Sequence, residues 1–284
     1  MKHVKTKHEV RATVSGWKAE GKKVAFVPTM GALHQGHLAL INKARALADH
    51  VVVSVFVNPT QFGPEEDFDK YPRPLEHDLD KCRKEGVSLV FVPERSEMYG
   101  REQPGKRPLL TFSINRMNEH LCGNTRKGHF EGVLQVVCKL LNIVQPDFMI
   151  LGQKDIQQYF IIRQMAEEFD FPVEVKIVPT QRDKDGLALS SRNVYLSKED
   201  RAMAPMLFDA IQKVSRRLME GFADDEINDG EDQTIEVDSL ILSKESERLR
   251  ENGFNVDYLS LVTTPDLQPA ETIQPGRLYV IAVA

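Results

Sequence analysis

A chain of 284 residues can bury a substantial core and is long enough for two domains. Its 41% hydrophobic and 28% charged residues are ordinary for a globular protein, and a net charge of −5 argues against a general nucleic-acid binder while leaving room for a local basic pocket. Cys82, Cys122 and Cys138 are odd in number and lack C-x-x-C spacing, which suits reduced thiols in a cytoplasm better than a disulfide framework or a zinc knuckle. The basic start Met1–Lys7 is followed by no apolar targeting stretch, and no apolar run is long enough to span a bilayer. The expectation is a cytoplasmic protein without a membrane or nucleic-acid partner.

In chain order, the spacing predicts a strand at Lys23–Pro28, a helix at Gly36–Ala48 and a strand at Val51–Val57, the last nearly continuous in valine as a strand covered on both faces should be. A helix at Leu75–Glu85 ends at Gly86 and a strand follows at Val87–Val92. Gly132–Val144 has apolar residues at helical spacing and stops before Pro146; a strand at Asp147–Leu151, a helix at Asp155–Phe169 and a strand at Val173–Val178 follow. The alternation predicts an α/β fold with a doubly wound, mostly parallel Rossmann-like sheet. After Pro179 come a polar loop at Gln181–Gly186, a helix from Lys198 to about Met219 capped by Ser197, an acidic loop at Ala223–Asp232, a helix at Glu236–Arg250 and strands at Val256–Leu261 and Leu278–Val283. The expected domains are 1–179 and a smaller C-terminal α+β domain at 180–284.

Polar clusters begin where the predicted strands end, the place where such sheets bind ligands. His34-Gln35-Gly36-His37 stands between a strand and a helix. Two imidazoles and a helix N-terminus can meet the charge that develops when the α-phosphate of ATP is attacked, and Gly36 allows close approach. Read by itself, the tetrapeptide also fits a helix-starting loop with two solvated histidines. Gln61, in Asn58-Pro59-Thr60-Gln61-Phe62, offers a donor and an acceptor for a hydroxy-acid, or belongs to a plain turn. In Gly152-Gln153-Lys154-Asp155, Lys154 can meet phosphate and Asp155 can cap a helix, or the lysine is merely exposed. One of Gln157 and Gln158 should face the same cleft. Ser190, Ser191 and Arg192 combine hydroxyls with a guanidinium, a phosphate-gripping set or a polar turn. Arg126-Lys127-Gly128-His129-Phe130 is an anion clamp or a solvated loop. Zinc is disfavoured without H-E-x-x-H or a third ligand, and no P-loop, G-x-G-x-x-G or G-x-S-x-G occurs.

Taken together and in order, these stretches resemble one family. Pro28–His37, Phe56–Phe62, Tyr71-Pro72-Arg73, Gly128–Val133, Gly152–Gln158 and Asp185–Asn193 are similar to the motifs of the pantoate–β-alanine ligases, which belong to the H-x-G-H nucleotidyltransferases. The resemblance spans essentially the whole chain, densely from 24 to 196. It implies ATP-dependent condensation of pantoate with β-alanine through a pantoyl adenylate, giving pantothenate, AMP and diphosphate. Another H-x-G-H nucleotidyltransferase and a non-catalytic nucleotide sensor are the alternatives. It implies His34, His37 and Lys154 as catalytic, with His37 in the proton-donor role. ATP would be bound by Met30, Gly31, Ala32, Leu33, His34, Gln35, Gly36, His37, Gly152, Gln153, Lys154, Asp155, Gln181, Leu189, Ser190, Ser191 and Arg192. Gln61 and Gln158 would hold pantoate, Gln61 also β-alanine, with Arg126 and Tyr71 further out. No protein metal site is implied; Mg2+ would come mainly with the triphosphate, Asp78 being a weak candidate for a water-mediated contact. A homodimer through the large domain, near an edge at Leu109–Ile114, and a hinge at Gln181–Arg192 complete the expectation. Gln153 and Thr60 depart from the Glu and Met common among relatives, the acidic 223–232 stretch is longer, and many relatives continue past Ala284.

Overall fold

The computed structural model describes residues 1–100, 110–224 and 234–284. They form two compact units: Met1–Ser113, Gly128–Arg182 and Leu189–Tyr195 make the first, and Ile114–Lys127, Asp183–Ala188 and Leu196–Ala284 the second. A single cut between 179 and 180 does not describe this division, because 114–127 joins the C-terminal residues and 189–195 stays with the N-terminal ones.

The chain begins with β1 (Lys2–Val4) and α1 (Lys7–Ala19), ahead of the predicted series. Only Val10 and Val14 of α1 are buried, so the periodic signal is thin, but Thr6 and Glu9 form a reciprocal capping box. Then come β2 (Val24–Thr29), α2 (Gln35–Leu47), β3 (His50–Val55), α3 (Leu75–Lys84), β4 (Leu89–Phe91) and the short α4 (Arg95–Tyr99). After α5 (Cys122–Thr125), part of the second unit, follow α6 (His129–Val144), β5 (Phe148–Gly152), α7 (Ile156–Glu168) and β6 (Glu174–Val178).

The six strands make one parallel sheet in the order β1-β4-β3-β2-β5-β6. Alternating side chains of each strand point to opposite faces. Ala25, Val27, Val51, Val53, Val90 and Ile150 lie on one face against Leu38, Ile41 and Ala44 of α2 and Leu79 and Cys82 of α3. Val24, Phe26, Val52, Leu89, Phe91, Met149 and Leu151 are among the buried residues of the other parity, and α1, α6 and α7 pack together along the sheet. Burial on both faces is why these strands read as unbroken apolar runs. From β2 the chain builds outward through β3 to β4, whereas β5 and β6 add on the other side of β2. The reversal between β2 and β5 is the switch point where such sheets open a crevice.

In the second unit, the expected long helix after Ser197 is two: α8 (Lys198–Met203) and α9 (Met206–Asp224). Pro205 lies at the break, where its ring and missing N–H cannot continue a helix. Ser197 does cap α8, its hydroxyl accepting from Asp200 N. β7 (Ile235–Glu236), α10 (Ser239–Glu251), β8 (Leu259–Thr263), β9 (Thr272–Ile273) and β10 (Tyr279–Val283) follow. β8 pairs antiparallel with β10, and β7 with β9. Ala210 and Val214 of α9 pack with Leu249, Val256 and Leu259 in its core. Of the acidic 223–232 stretch, 225–232 lies outside the described residues, as does Leu109 of the expected edge; 110–114 contains no strand. No helix among the described residues is long and apolar enough to cross a membrane.

Candidate active site

The first loop to reach the switch point leaves β2 at Thr29. The Thr29 hydroxyl donates to the Ser54 carbonyl at 2.7 Å and accepts from Gly31 N at 3.1 Å, tying the loop to β3. Ala32 takes a left-handed φ of 50°. Both oxygens of Asp78, on α3, receive loop amides, Ala32 N at 2.8 Å and Leu33 N at 2.7 Å. Lys81 of α3 donates to the Leu33 carbonyl.

His34 is the N-cap of α2. Its Nδ1 accepts from Gly36 N at 3.1 Å, and Nδ1 of His37 accepts from His34 N at 3.2 Å. A ring nitrogen that accepts carries no hydrogen, so each neutral imidazole has its proton on Nε2 and presents that N–H as a donor. The ring centroids are 4.1 Å apart. A Cβ at Gly36 would stand 2.8 Å from Cε1 of His34, so only glycine leaves room for the ring to fold onto its own helix. The rings stay neutral: His34 is pushed down to about 4 and His37 to about 3. Removal from water is the main cause at both. Lys154 and Lys81 add to it at His34; at His37 the His34 ring leads, with Lys154 and Lys81 behind it and Asp155 opposing.

The turn after β3 is built around Asn58, which is 1% exposed. Its amide donates to Gln61 Oε1 at 3.1 Å and to the Gly132 carbonyl at 3.2 Å, while its Oδ1 accepts from the Tyr99 hydroxyl at 2.6 Å. Since Oε1 of Gln61 is occupied, its NH2 end faces Met30, with Nε2 3.2 Å from the sulfur. His129 contacts the Gln61 carbonyl through Nδ1 at 2.8 Å. Thus Met30 and Gln61, from separate motifs, touch.

Beyond β5, Lys154 pairs with Asp155 at 3.0 Å. Asp155 is the N-cap residue of α7 but makes no side-chain cap bond, since its carboxylate turns to the lysine instead. Gln157 is buried, whereas Gln158 is half-buried in the first turn of α7. Gln153 Oε1 accepts from Thr180 N at 3.3 Å, and the Gln181 carbonyl accepts from Leu189 N at 2.9 Å. Ser191 Oγ donates to the Ala32 carbonyl at 3.0 Å, and Ser190 Oγ accepts from Arg192 N at 3.2 Å. Arg192 makes a bidentate pair with Asp67 at 2.7 and 2.8 Å, its guanidinium 5.4 Å from the Tyr71 ring centre and 5.9 Å from that of Phe62. Arg126 falls in the second unit.

The structure therefore gathers Met30–His37 with Gln61 and with Ser191, and places the 152–155 segment at the end of the neighbouring strand β5. Sequence reasoning missed Asp67, Lys81 and the bracing role of Asn58. Asp67 hides in the acidic run Glu65-Glu66-Asp67, which reads as a solvated loop. Asp78, expected only as a weak candidate for a water-mediated contact with Mg2+, holds the loop here, one amide on each oxygen. Among the described residues, no group of three or more His, Cys, Asp or Glu side chains could hold a metal ion.

Comparison with known proteins narrows what this arrangement serves. Residues 2–284 match the family model for pantoate-beta-alanine ligase. A pantothenate synthetase of Alcanivorax borkumensis is 45% identical over 274 residues, covering 96% of this chain and 90% of the relative. One of Desulfotalea psychrophila is 41% identical over 283 residues, covering 100% and 94%. The crystal structure of the pantothenate synthetase from Thermus thermophilus superposes with a TM-score of 0.85 at 40% identity, over 100% of this chain and 95% of that one. That of the pantoate-beta-alanine ligase from Francisella tularensis, complexed with beta-gamma ATP and beta-alanine, gives 0.73 at 29% identity, over 100% and 97%. With the whole chain matched, the H-x-G-H loop at the switch point and the same architecture in solved relatives, the chain belongs to the pantoate–β-alanine ligase family.

Proposed function

We propose that this chain joins pantoate to β-alanine at the expense of ATP in two steps, with His34, His37 and Lys154 serving the first. An oxygen of the pantoate carboxylate attacks the α-phosphorus of ATP, and diphosphate leaves with the electron pair of the broken P–O bond. The amine of β-alanine then attacks the acyl carbon; AMP departs and the amine loses a proton. The observation that carries this reading is the pair of imidazoles at the N-terminus of α2, each fixed through Nδ1 by a backbone amide so that its Nε2 is left as the donor. Such donors meet charge that grows on phosphate oxygens without reorganising as it grows. Before ATP arrives, burial lowers the basicity of His37, so it meets the incoming phosphates as a hydrogen-bond donor.

In this reading Lys154 adds a point charge to the phosphates and Arg192 a second cation from the 189–195 segment. Met30–His37, Gly152–Asp155, Gln181 and Leu189–Arg192 line the nucleotide, while Gln61 and Gln158 take pantoate. The Gln61 NH2, which Asn58 turns toward Met30 of the nucleotide loop, suits a carboxylate or hydroxyl oxygen. Mg2+ arrives with ATP as part of the substrate, keeping its waters and phosphate ligands. A homodimer and a cytoplasmic location, the latter supported by three unpaired cysteines, belong to the same proposal. Pantoate-dependent exchange of labelled diphosphate into ATP without β-alanine is the test. Exchange is expected, and product mass should show pantothenate and AMP; folded protein that makes pantothenate without exchange would overturn the two-step order. Light scattering over a dilution series checks the dimer, and a monomer throughout would remove it.

A further inference from the structure

We infer that Asp78 and Lys81, one turn apart on α3, are positioning residues that grip the backbone of Ala32 and Leu33 and so hold the two imidazole donors on the nucleotide. The inference rests on reading Met30–His37 as the nucleotide loop. α3 lies outside the stretches that carry the resemblance, and its register sets the grip: positions i and i+3 share a helix face.

The loop needs such a grip. A left-handed residue with a Cβ costs about 1–2 kcal/mol and persists only where its surroundings impose it. Ala32 is such a residue, with φ 50°, directly after Gly31 at φ 85°. In that conformation the amides of Ala32 and Leu33 point the same way, and Asp78 receives both, one on each oxygen. The carboxylate is 1% exposed, and it is tolerated there because both oxygens are hydrogen-bonded and it lies in the first turn of α3, where the helix dipole favours negative charge. Lys81 closes the other side by donating to the Leu33 carbonyl. His34 comes next and starts α2, so the position of Leu33 fixes where both rings stand.

Lys81 has a second effect. The charged and titratable groups acting on the two rings are Lys81 from α3, Lys154 and Asp155 from the end of β5, and at His37 the His34 ring. Lys81 thus helps keep the imidazoles unprotonated while it holds the loop.

The test compares Asp78→Asn, Lys81→Met and Lys81→Arg with the wild-type chain. Affinity for a non-hydrolysable ATP analogue is read by calorimetry, the ring titrations of His34 and His37 by NMR, and the KM for β-alanine by steady-state kinetics. Asparagine cannot accept two amides with two oxygens, so Asp78→Asn should lose roughly 10- to 100-fold in ATP affinity and diphosphate exchange, as small misplacements of catalytic groups do. Its KM for β-alanine should stay within about twofold. Lys81→Met should weaken ATP binding and raise both histidine titrations, and Lys81→Arg should restore both readouts. Should Asp78→Asn fail to fold, the half-buried Lys81 variants decide the matter alone. Wild-type ATP affinity and unshifted titrations in folded Lys81→Met, or loss of β-alanine KM in step with ATP affinity, would overturn the inference. If the wild-type chain itself binds no ATP analogue, the nucleotide-loop reading fails; if it binds and the variants match it, only the α3 grip fails.

Discussion

Gly132→Ala tests whether the fold, rather than the motif, places Gln61. Gly132 lies in the first turns of α6 directly under the turn that carries Gln61. A Cβ there would stand 2.0 Å from the Thr60 carbonyl oxygen, 2.4 Å from its carbon and 2.8 Å from the Gln61 amide nitrogen. All three atoms belong to one peptide plane, so no side-chain rotation relieves the clash. That peptide must retreat by roughly 1 Å, and Gln61 goes with it. Its side chain would leave the reach of Asn58, now at 3.1 Å, and its carbonyl that of His129, now at 2.8 Å. Overpacking against backbone should cost about 3 kcal/mol, the upper end of the usual range, whereas alanine for glycine inside a helix returns about 1 kcal/mol. The net loss of about 2 kcal/mol leaves a folded protein. A 1 Å misplacement of a positioning residue costs about 100-fold in rate, or about 2.7 kcal/mol in the barrier. Steady-state kinetics should therefore show kcat/KM for pantoate falling about 100-fold, with ATP affinity changed much less. Wild-type pantoate kinetics in a folded Gly132→Ala protein would refute the placement.

Three further outcomes follow from the same geometry. His37→Ala should lower diphosphate exchange by about 100- to 1,000-fold while circular dichroism stays unchanged, and near-wild-type exchange would remove His37 from the chemistry. The two imidazoles also make stability depend on pH: with folded values of about 4 and about 3, both below the ordinary 6.5, the unfolded chain takes up protons first as pH falls. Their contribution is complete above 6.5 and is lost progressively toward about 3, so urea midpoints should drop on acidification and drop less in a His34→Gln/His37→Gln protein. Asp67→Asn breaks the bidentate hold on Arg192 and should raise the KM for ATP several-fold without altering that for β-alanine; equal effects on both would point to a general loss of packing.

Much of the fold was legible because the sheet is buried on both faces. Runs such as Val51–Val55 admit few other readings, and Gly86 and Pro146 mark where neighbouring helices stop. α1 escaped because two buried valines make a faint periodicity, and the β7–β9 pair because two residues per strand carry almost none. The break at Pro205 interrupts an apolar pattern that continues on both sides of it, so the steric rule for proline decides the boundary.

The site divides along the same line. Residue types and local order singled out the H-x-G-H loop, Gln61, Lys154 and the Ser190–Arg192 cluster as candidates, because phosphate and carboxylate recognition restricts which side chains can serve. Partnerships across long stretches of chain were decided only in three dimensions. Asp78 meets the loop 45 residues earlier, Arg192 meets Asp67 across 125, and Gly132 abuts Thr60 across 72. The imidazole tautomers and their lowered basicity likewise come from backbone amides and burial that no tetrapeptide encodes. A sequence lists which groups are available; which of them desolvate, accept or repel one another depends on the parallel crossovers that bring the ends of β2, β3 and β5 together.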